Sequence, residues 1–378
     1  MAKPKRINYK PIFIAVLVCV AAAVIFLAGL WTKNYGRMAG LEESQLPGSS
    51  AYGSVQTAEA AQFDLSVWVA YWDFERGLND VNSIAGMPDS LQALAASFNA
   101  ADWLFFTADS SEMILALDAV RDAHPDMPVY LTLVNDRMDG NGEWTEKDGS
   151  LVDRLMKTEG TRAKHIDDIV ILARGNGFDG VEIDYENISG DAKSGFALFC
   201  GELYARLNEL GMELRVVLEP DNDFADGGLP EGPEYVMMAY DMNGAGTAPG
   251  PRADEAFIRS LAAKMASLPG EKRIAFASGG FDWDAAGNAR EITESEAYGL
   301  SLESGDIQRD VNSGELFFTY AAEDGSAHTV WYADAETLAG WLDLSKSLGY
   351  GNVAVWRMGG ETPETLKMLG NLKGVSLN

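Results

Sequence analysis

The 378-residue chain carries 57 acidic against 29 basic residues, a formal net charge of −28, and only two cysteines. That surplus of negative charge repels nucleic acid and anionic lipid surfaces. Two cysteines, one of them inside an apolar run, exclude a disulfide-framed scaffold.

The first forty residues differ from all that follow. Lys3, Lys5, Arg6 and Lys10 precede an uncharged apolar run from Ile12 to Trp31, and only Lys33 and Arg37 lie close behind it. About 20 apolar residues cross the hydrocarbon core as a helix, and the basic excess keeps the N-terminal side in the cytoplasm. The expectation is therefore a short cytoplasmic segment (1–11), a single transmembrane helix (12–31) and an extracellular remainder at the cell membrane. The alternative is secretion after signal cleavage, although the run is longer than a usual signal core and Gly29-Leu30-Trp31-Thr32 makes a poor cleavage site. Removing the six basic residues of 1–40 leaves 23 Lys and Arg against 57 acids, a formal charge of −34 on the outward part. Residues 32–62, rich in Ser, Gly, Ala, Glu and Gln without apolar periodicity, read as a flexible linker.

From Phe63 onward, short β-rich runs alternate with helical segments. The predicted strands are 65–72, 102–109, 128–136, 180–186, 213–220, 234–241, 273–281 and 352–359. The predicted helices cover 89–98, 110–123, 161–174, 192–210, 254–266 and 334–348. Such alternation implies a parallel sheet, and eight strands imply closure into a (β/α)8 TIM barrel, an α/β fold that typically needs ~250 residues. An open doubly wound sheet reads much the same. Between strands seven and eight, 316–321 and 328–334 flank Glu323-Asp324-Gly325, a hairpin turn signal. This predicts a small insertion, about 284–333, on the barrel rim. Cys200 is expected in the core, and His124, His165 and His328, which lack ligand spacing, at surface or cap positions. No metal and no cofactor is called for.

The candidate chemistry lies in Phe178-Asp179-Gly180-Val181-Glu182-Ile183-Asp184-Tyr185-Glu186-Asn187. Side chains alternate across a strand, so Glu182, Asp184 and Glu186 share one face. A parallel barrel strand is normally apolar on both faces, which leaves an edge strand or a functional site as the readings of three acids in a row. Crowded, buried carboxylates raise each other's proton affinity, and a carboxyl kept protonated near neutral pH can donate to a glycosidic oxygen.

The segment resembles the fourth-strand motif D-G-x-D-x-D-x-E of glycoside hydrolase family 18, the chitinase-like family, through Asp179, Gly180, Asp184 and Glu186; Glu182 replaces an Asp of the motif. Met238-Ala239-Tyr240-Asp241 is similar to the family's M-x-Y-D, and Asn243-Gly244 through Pro249-Gly250-Pro251 resembles the Gly-Pro loop of its spore-cortex and cell-wall branch. Asn352–Gly359 is similar to the family's last strand with its Trp, and Asn135 stands where that branch places an Asn after strand three. The likeness extends over about 63–372.

The resemblance implies Glu186 as acid/base, Asp184 as the group that orients and supports a substrate N-acetyl group, Tyr240 and Asp241 as its polar partners, and Glu182 within the same acid row. Trp356 would floor the sugar subsite, since an aromatic face matches the C–H face of a pyranose. Asn135 and Asn243, together with Tyr71, Trp72 and Trp283 at predicted strand ends, complete the expected substrate-binding set. The family is an exception to the two-carboxylate scheme because the substrate's own acetamide is the nucleophile. An N-acetylated polysaccharide or oligosaccharide is thus the expected partner, with peptidoglycan nearest and chitin-like glycans second, acted on by a monomer. The competing reading is a catalytically weak or inactive sugar-binding protein of the same fold. Restoring Asp at position 182 is expected to leave activity equal or higher.

Overall fold

The computed structural model describes residues 63–372 apart from 222–227, 303 and 305. The expected transmembrane helix and linker lie outside the described residues, among which no helix is long and apolar enough to cross a membrane.

Eight strands form the centre: β1 (Asp64–Ala70), β2 (Ser90–Phe98), β3 (Val129–Met138), β4 (Gly180–Asp184), β5 (Glu213–Leu218), β6 (Glu234–Met238), β7 (Lys272–Ala277) and β8 (Asn352–Met358). Each pairs in parallel with the next, and β8 pairs with β1, so the barrel is closed and no edge is left open. Alternation along each strand divides the residues. Leu65, Val67, Val69, Val181, Ile183 and Val216 pack outward against the helices. Trp68, Val217, Val236, Met238, Ala275 and Ala354 pack inward. Five of the helices between strands start at side-chain caps, Thr107, Asp148, Thr158, Asp254 and Asp334, each accepting from a backbone N–H three residues on.

The second strand is not where the pattern put it. Residues 89–98 were expected as a helix, but Ser90–Phe98 is β2, buried at every position. Its Ala and Leu content favours a helix, yet a strand enclosed on both faces shows a continuous apolar run with no period to read. The expected strand at 102–109 contributes only Leu104–Phe106, antiparallel to the end of β2, before Thr107 caps the helix Ala108–Ala123.

The seventh predicted strand also divides. β7 ends at Ala277, and Gly279–Trp283 leaves the barrel to join a five-stranded antiparallel sheet with 289–292, 327–333, 316–321 and 308–309. Gly280 makes that departure sterically possible: a Cβ there would lie 1.8 Å from the Trp331 carbonyl oxygen. The insertion therefore begins at Gly279, five residues before the expected boundary. Its hairpin pairs Leu316–Ala321 with Ala327–Ala333 around Gly325, as the turn signal predicts. Cys200 is fully buried. His165, expected at the surface, is 3% exposed. The helix Glu159–Gly175 turns it toward Tyr185, whose hydroxyl lies 2.8 Å from its Nε2, and burial pushes its pKa down to about 3.

Candidate active site

The C-terminal ends of the barrel strands converge on the β4 acid row. Glu182 is fully buried, its Oε1 accepting from Trp68 Nε1 at 2.6 Å and from Thr132 Oγ1 at 2.8 Å, while Oε2 has no partner. One step up the same face, Asp184 Oδ1 is also buried without a partner. One step further, Glu186 reaches the mouth with its side chain 15% exposed.

Glu186 is gripped from three sides. Asn135, at the end of β3 and 1% exposed, donates from Nδ2 to the Glu186 carbonyl oxygen and accepts the Glu186 N–H at Oδ1, both at 2.9 Å. Lys147 Nζ lies 2.6 Å from Glu186 Oε2. Glu219, just past β5, accepts the N–H of Asn187 at 2.9 Å. Asn187 holds φ of 57°, so the chain turns sharply as it leaves the row.

Three carboxylates spaced along one buried face cannot all be ionised. Burial raises the pKa of Asp184 well above the usual carboxylate range, the charges of Glu186 and Glu182 raise it further, and Lys147 opposes them. Burial lifts Glu186 to about 7 against the pull of Lys147. The pair thus retains a proton near neutral pH, the protonation state a general acid requires.

Around the row stand the aromatic side chains. Tyr240 is 8% exposed, and burial followed by the charge of Asp184 keeps its phenol neutral. Trp356 packs its ring 6.1 Å from Trp68 and 6.4 Å from Trp72, which is 49% exposed; the Trp356–Arg357 peptide is cis. Tyr71 stands edge-on to Trp72 at 5.0 Å. Arg357 lies over the Trp72 ring at 5.5 Å and pairs with Asp73 at 2.9 Å.

Other expected site residues do different work. Trp283 is 1% exposed and packs on Phe281 at 5.6 Å, so it does not line the cleft. It sits on the first strand of the insertion sheet, past the point where the chain leaves the barrel. Asn243 staples the Gly-Pro loop, donating from Nδ2 to the Pro251 carbonyl at 2.8 Å. Asn135 acts on the Glu186 backbone. Asp241, with φ of 60°, turns its carboxylate to Arg252, whose Nη2 lies 2.6 Å away. Arg252 is itself 1% exposed, donates to the Ser278 carbonyl at 3.0 Å and passes its backbone N–H to the buried Glu315 at 2.8 Å.

Trp68, Lys147, Glu219 and Arg252 were not singled out by the sequence. Glu219 directly follows β5, and a polar residue at a barrel strand's C-terminal end is a readable signal. Lys147 has none: it belongs to a loop and reaches the acid only through the fold.

The model of "Glycosyl hydrolases family 18" matches residues 142–361. The cortical fragment-lytic enzyme of Bacillus subtilis is 23% identical over 234 residues, 57% of this chain and 54% of that protein. The chain thus spans about half the length of that curated relative. Among solved structures, the spore cortex-lytic enzyme SleL of Bacillus cereus superposes with a TM-score of 0.70 at 18% identity, over 82% of this chain and 74% of that one. The class V chitinase of Nicotiana tobaccum, solved with NAG4, does so with a TM-score of 0.67 at 15% identity, over 84% and 100%. These likenesses in structure attest the fold. The family match takes in more than half the chain, from the loop that carries Lys147 through all of β4 to the end of β8, and so the chain belongs to glycosyl hydrolases family 18.

Proposed function

We propose that this chain hydrolyses β-linked, N-acetylglucosamine-containing glycans by substrate-assisted catalysis with retention. The observation that carries the reading is the partly exposed Glu186 carboxyl, lifted to about 7, directly above the buried Asp184. Glu186 donates its proton to the glycosidic oxygen as the neighbouring acetamide oxygen attacks the anomeric carbon. The bond to the leaving sugar breaks, and a cyclic oxazolinium forms. With the pair's one proton on Glu186, Asp184 is already the carboxylate and balances that positive charge in a site of low dielectric. Tyr240 donates to the acetamide, and Trp356 offers its face to the sugar ring. Glu186, now a carboxylate, takes a proton from water, which opens the oxazolinium from the face the leaving group vacated.

The N-acetylated substrate class is supported by the NAG4 of the Nicotiana complex and by the named action of the Bacillus relatives on cortical fragments and spore cortex. Peptidoglycan is the substrate we favour, with chitin-like glycans second. The apolar run at 12–31 fits a single-pass anchor that holds the domain outside the cell membrane on the 32–62 linker. Incubating the full chain with purified peptidoglycan and with chitin oligosaccharides, then identifying new reducing ends by mass, tests the assignment. New N-acetylglucosamine reducing ends support it; binding without any new end assigns the chain to the sugar-binding class instead.

A further inference from the structure

Lys147 reaches the acid from a loop beyond β3. Its backbone is fixed at both ends: the N–H donates to Asp136 Oδ1 at 2.8 Å, and the carbonyl accepts from Asn187 Nδ2 at 3.2 Å. Its φ of 50° turns the chain back over the cleft. The side chain by contrast is 51% exposed and is held at its tip alone, where Nζ lies 2.6 Å from Glu186 Oε2. That is the carboxyl which, on the proposed function, must face the glycosidic oxygen. An ion pair and a proton donor cannot occupy one carboxyl at once.

We propose that Lys147 is a positioning residue: in the empty cleft it holds the Glu186 carboxyl aimed and opposes its protonation, and an entering sugar dislodges it, so that the acid holds its proton more firmly once substrate is bound. The proposal rests on the glycosidase reading for the role of Glu186, while the ion pair stands apart from it. The remaining groups that face Glu186 are acidic or neutral: Asp136 from β3, Asp184 from β4, Glu219 beyond β5, and Tyr240 and Asp241 beyond β6. Glu146 adds to the field at Asp136, and Glu182 to that at Asp184. Arg252 is spent on Asp241 at 2.6 Å, so once Lys147 swings away the charges that act on the acid itself, those of Asp136, Asp184 and Glu219, favour its protonated form. A long, strongly hydrated ammonium on a flexible stem suits such a move, because water receives it at little loss.

The consequence is a difference between two pH profiles. The alkaline limb of kcat/KM reports the free enzyme, where Lys147 opposes protonation, and that of kcat reports the complex, where it has gone. In the wild-type full chain the kcat limb is therefore expected above the kcat/KM limb. Lys147→Gln removes the charge, and its kcat/KM limb is expected to rise by about half a pH unit to one unit, with the kcat limb unmoved. Lys147→Arg keeps the charge and is expected to restore the wild-type limb. Gln and Arg meet the positive φ as Lys does, so the backbone is under the same constraint in all three.

A readout independent of turnover is the carboxyl titration of Glu186 by NMR on chain labelled with 13C-carboxyl Glu, assigned by its loss in Glu186→Gln. A higher midpoint in Lys147→Gln than in wild type supports the proposal. Coincident midpoints, or coincident kcat/KM limbs in wild type and Lys147→Gln, overturn it. A wild type that cleaves no glycan at any pH, with the NMR midpoints still separated, refutes the glycosidase reading and leaves the ion pair established.

Discussion

Replacing Glu182 by Asp shortens a buried side chain by one methylene, about 1.5 Å of reach. Its Oε1 accepts at 2.6 Å from Trp68 Nε1 and at 2.8 Å from Thr132 Oγ1. Drawing the carboxyl back by that length takes both donors beyond hydrogen-bonding range. Each donor stranded in a fully enclosed interior costs about 1–3 kcal/mol, and partial relaxation of the strand leaves a net loss of about 2–4 kcal/mol. For an ordered domain of about 310 residues the entropy of unfolding is roughly 0.65 kcal/mol per kelvin, so the thermal midpoint is expected to fall by about 3–6 °C. Differential scanning calorimetry of Glu182→Asp against wild type at pH 6 measures it, with Trp68→Phe as the companion that removes one donor. The two losses are expected to be less than additive in the double variant, because they share one bond. Although Asp is the residue of the family motif, the inward-facing Trp68 has made the longer acid the fitted one here. A Glu182→Asp midpoint within 1 °C of wild type would refute the argument that this row is tuned to Glu.

Three other outcomes follow. Asp184→Asn is expected to lower kcat by about 10²-fold or more with little change in KM, since an amide can orient an acetamide but cannot balance an oxazolinium; wild-type kcat would remove Asp184 from that role. Trp356→Ala is expected to weaken glycan binding by ~1–3 kcal/mol, read by calorimetric titration, while the thermal transition persists; loss of the transition would make the ring structural. Burial raises the buried carboxyls of Glu294 to about 7 and Glu315 to about 8, so the fold favours their neutral forms. Their contribution to stability is complete below about pH 4.5 and is lost as pH rises through 7 to 8. The thermal midpoint is expected to decline between pH 5 and 8.5, and less steeply in Glu315→Gln; a midpoint that climbs over that interval contradicts the assignment.

What the sequence made legible was whatever depends on local period. The carboxylate row alternates along β4, so its shared face could be read without coordinates, and Asp324-Gly325 marked its hairpin. β2 was hidden because Ser90–Phe98 is enclosed on both sides and is built from residues that favour helices. The departure at Gly279 was hidden because β7 and the first insertion strand are separated by a single residue, Ser278. Asn135 was legible as a position but not as a role: only the fold shows that both ends of its amide are spent on the Glu186 backbone. Trp283 was misread because a strand-end aromatic looks the same whether its strand continues the barrel or leaves it. Lys147 and Arg252 reach their carboxylates from loops 39 and 11 residues away along the chain, a proximity that no spacing encodes.

In the proposed reaction a substituent on the sugar supplies the nucleophile. The direct test gives the full chain a β-linked N-acetylglucosamine oligosaccharide and, at concentrations that saturate binding, the matching glucose and de-N-acetylated oligosaccharides, and follows new reducing ends. Cleavage confined to the N-acetylated glycan and abolished in Glu186→Gln, with competitive inhibition by a thiazoline analogue of the cyclic intermediate, is the predicted result. Comparable cleavage of the glucose oligosaccharide, or a covalent glycosyl ester trapped on a protein carboxylate, would contradict it.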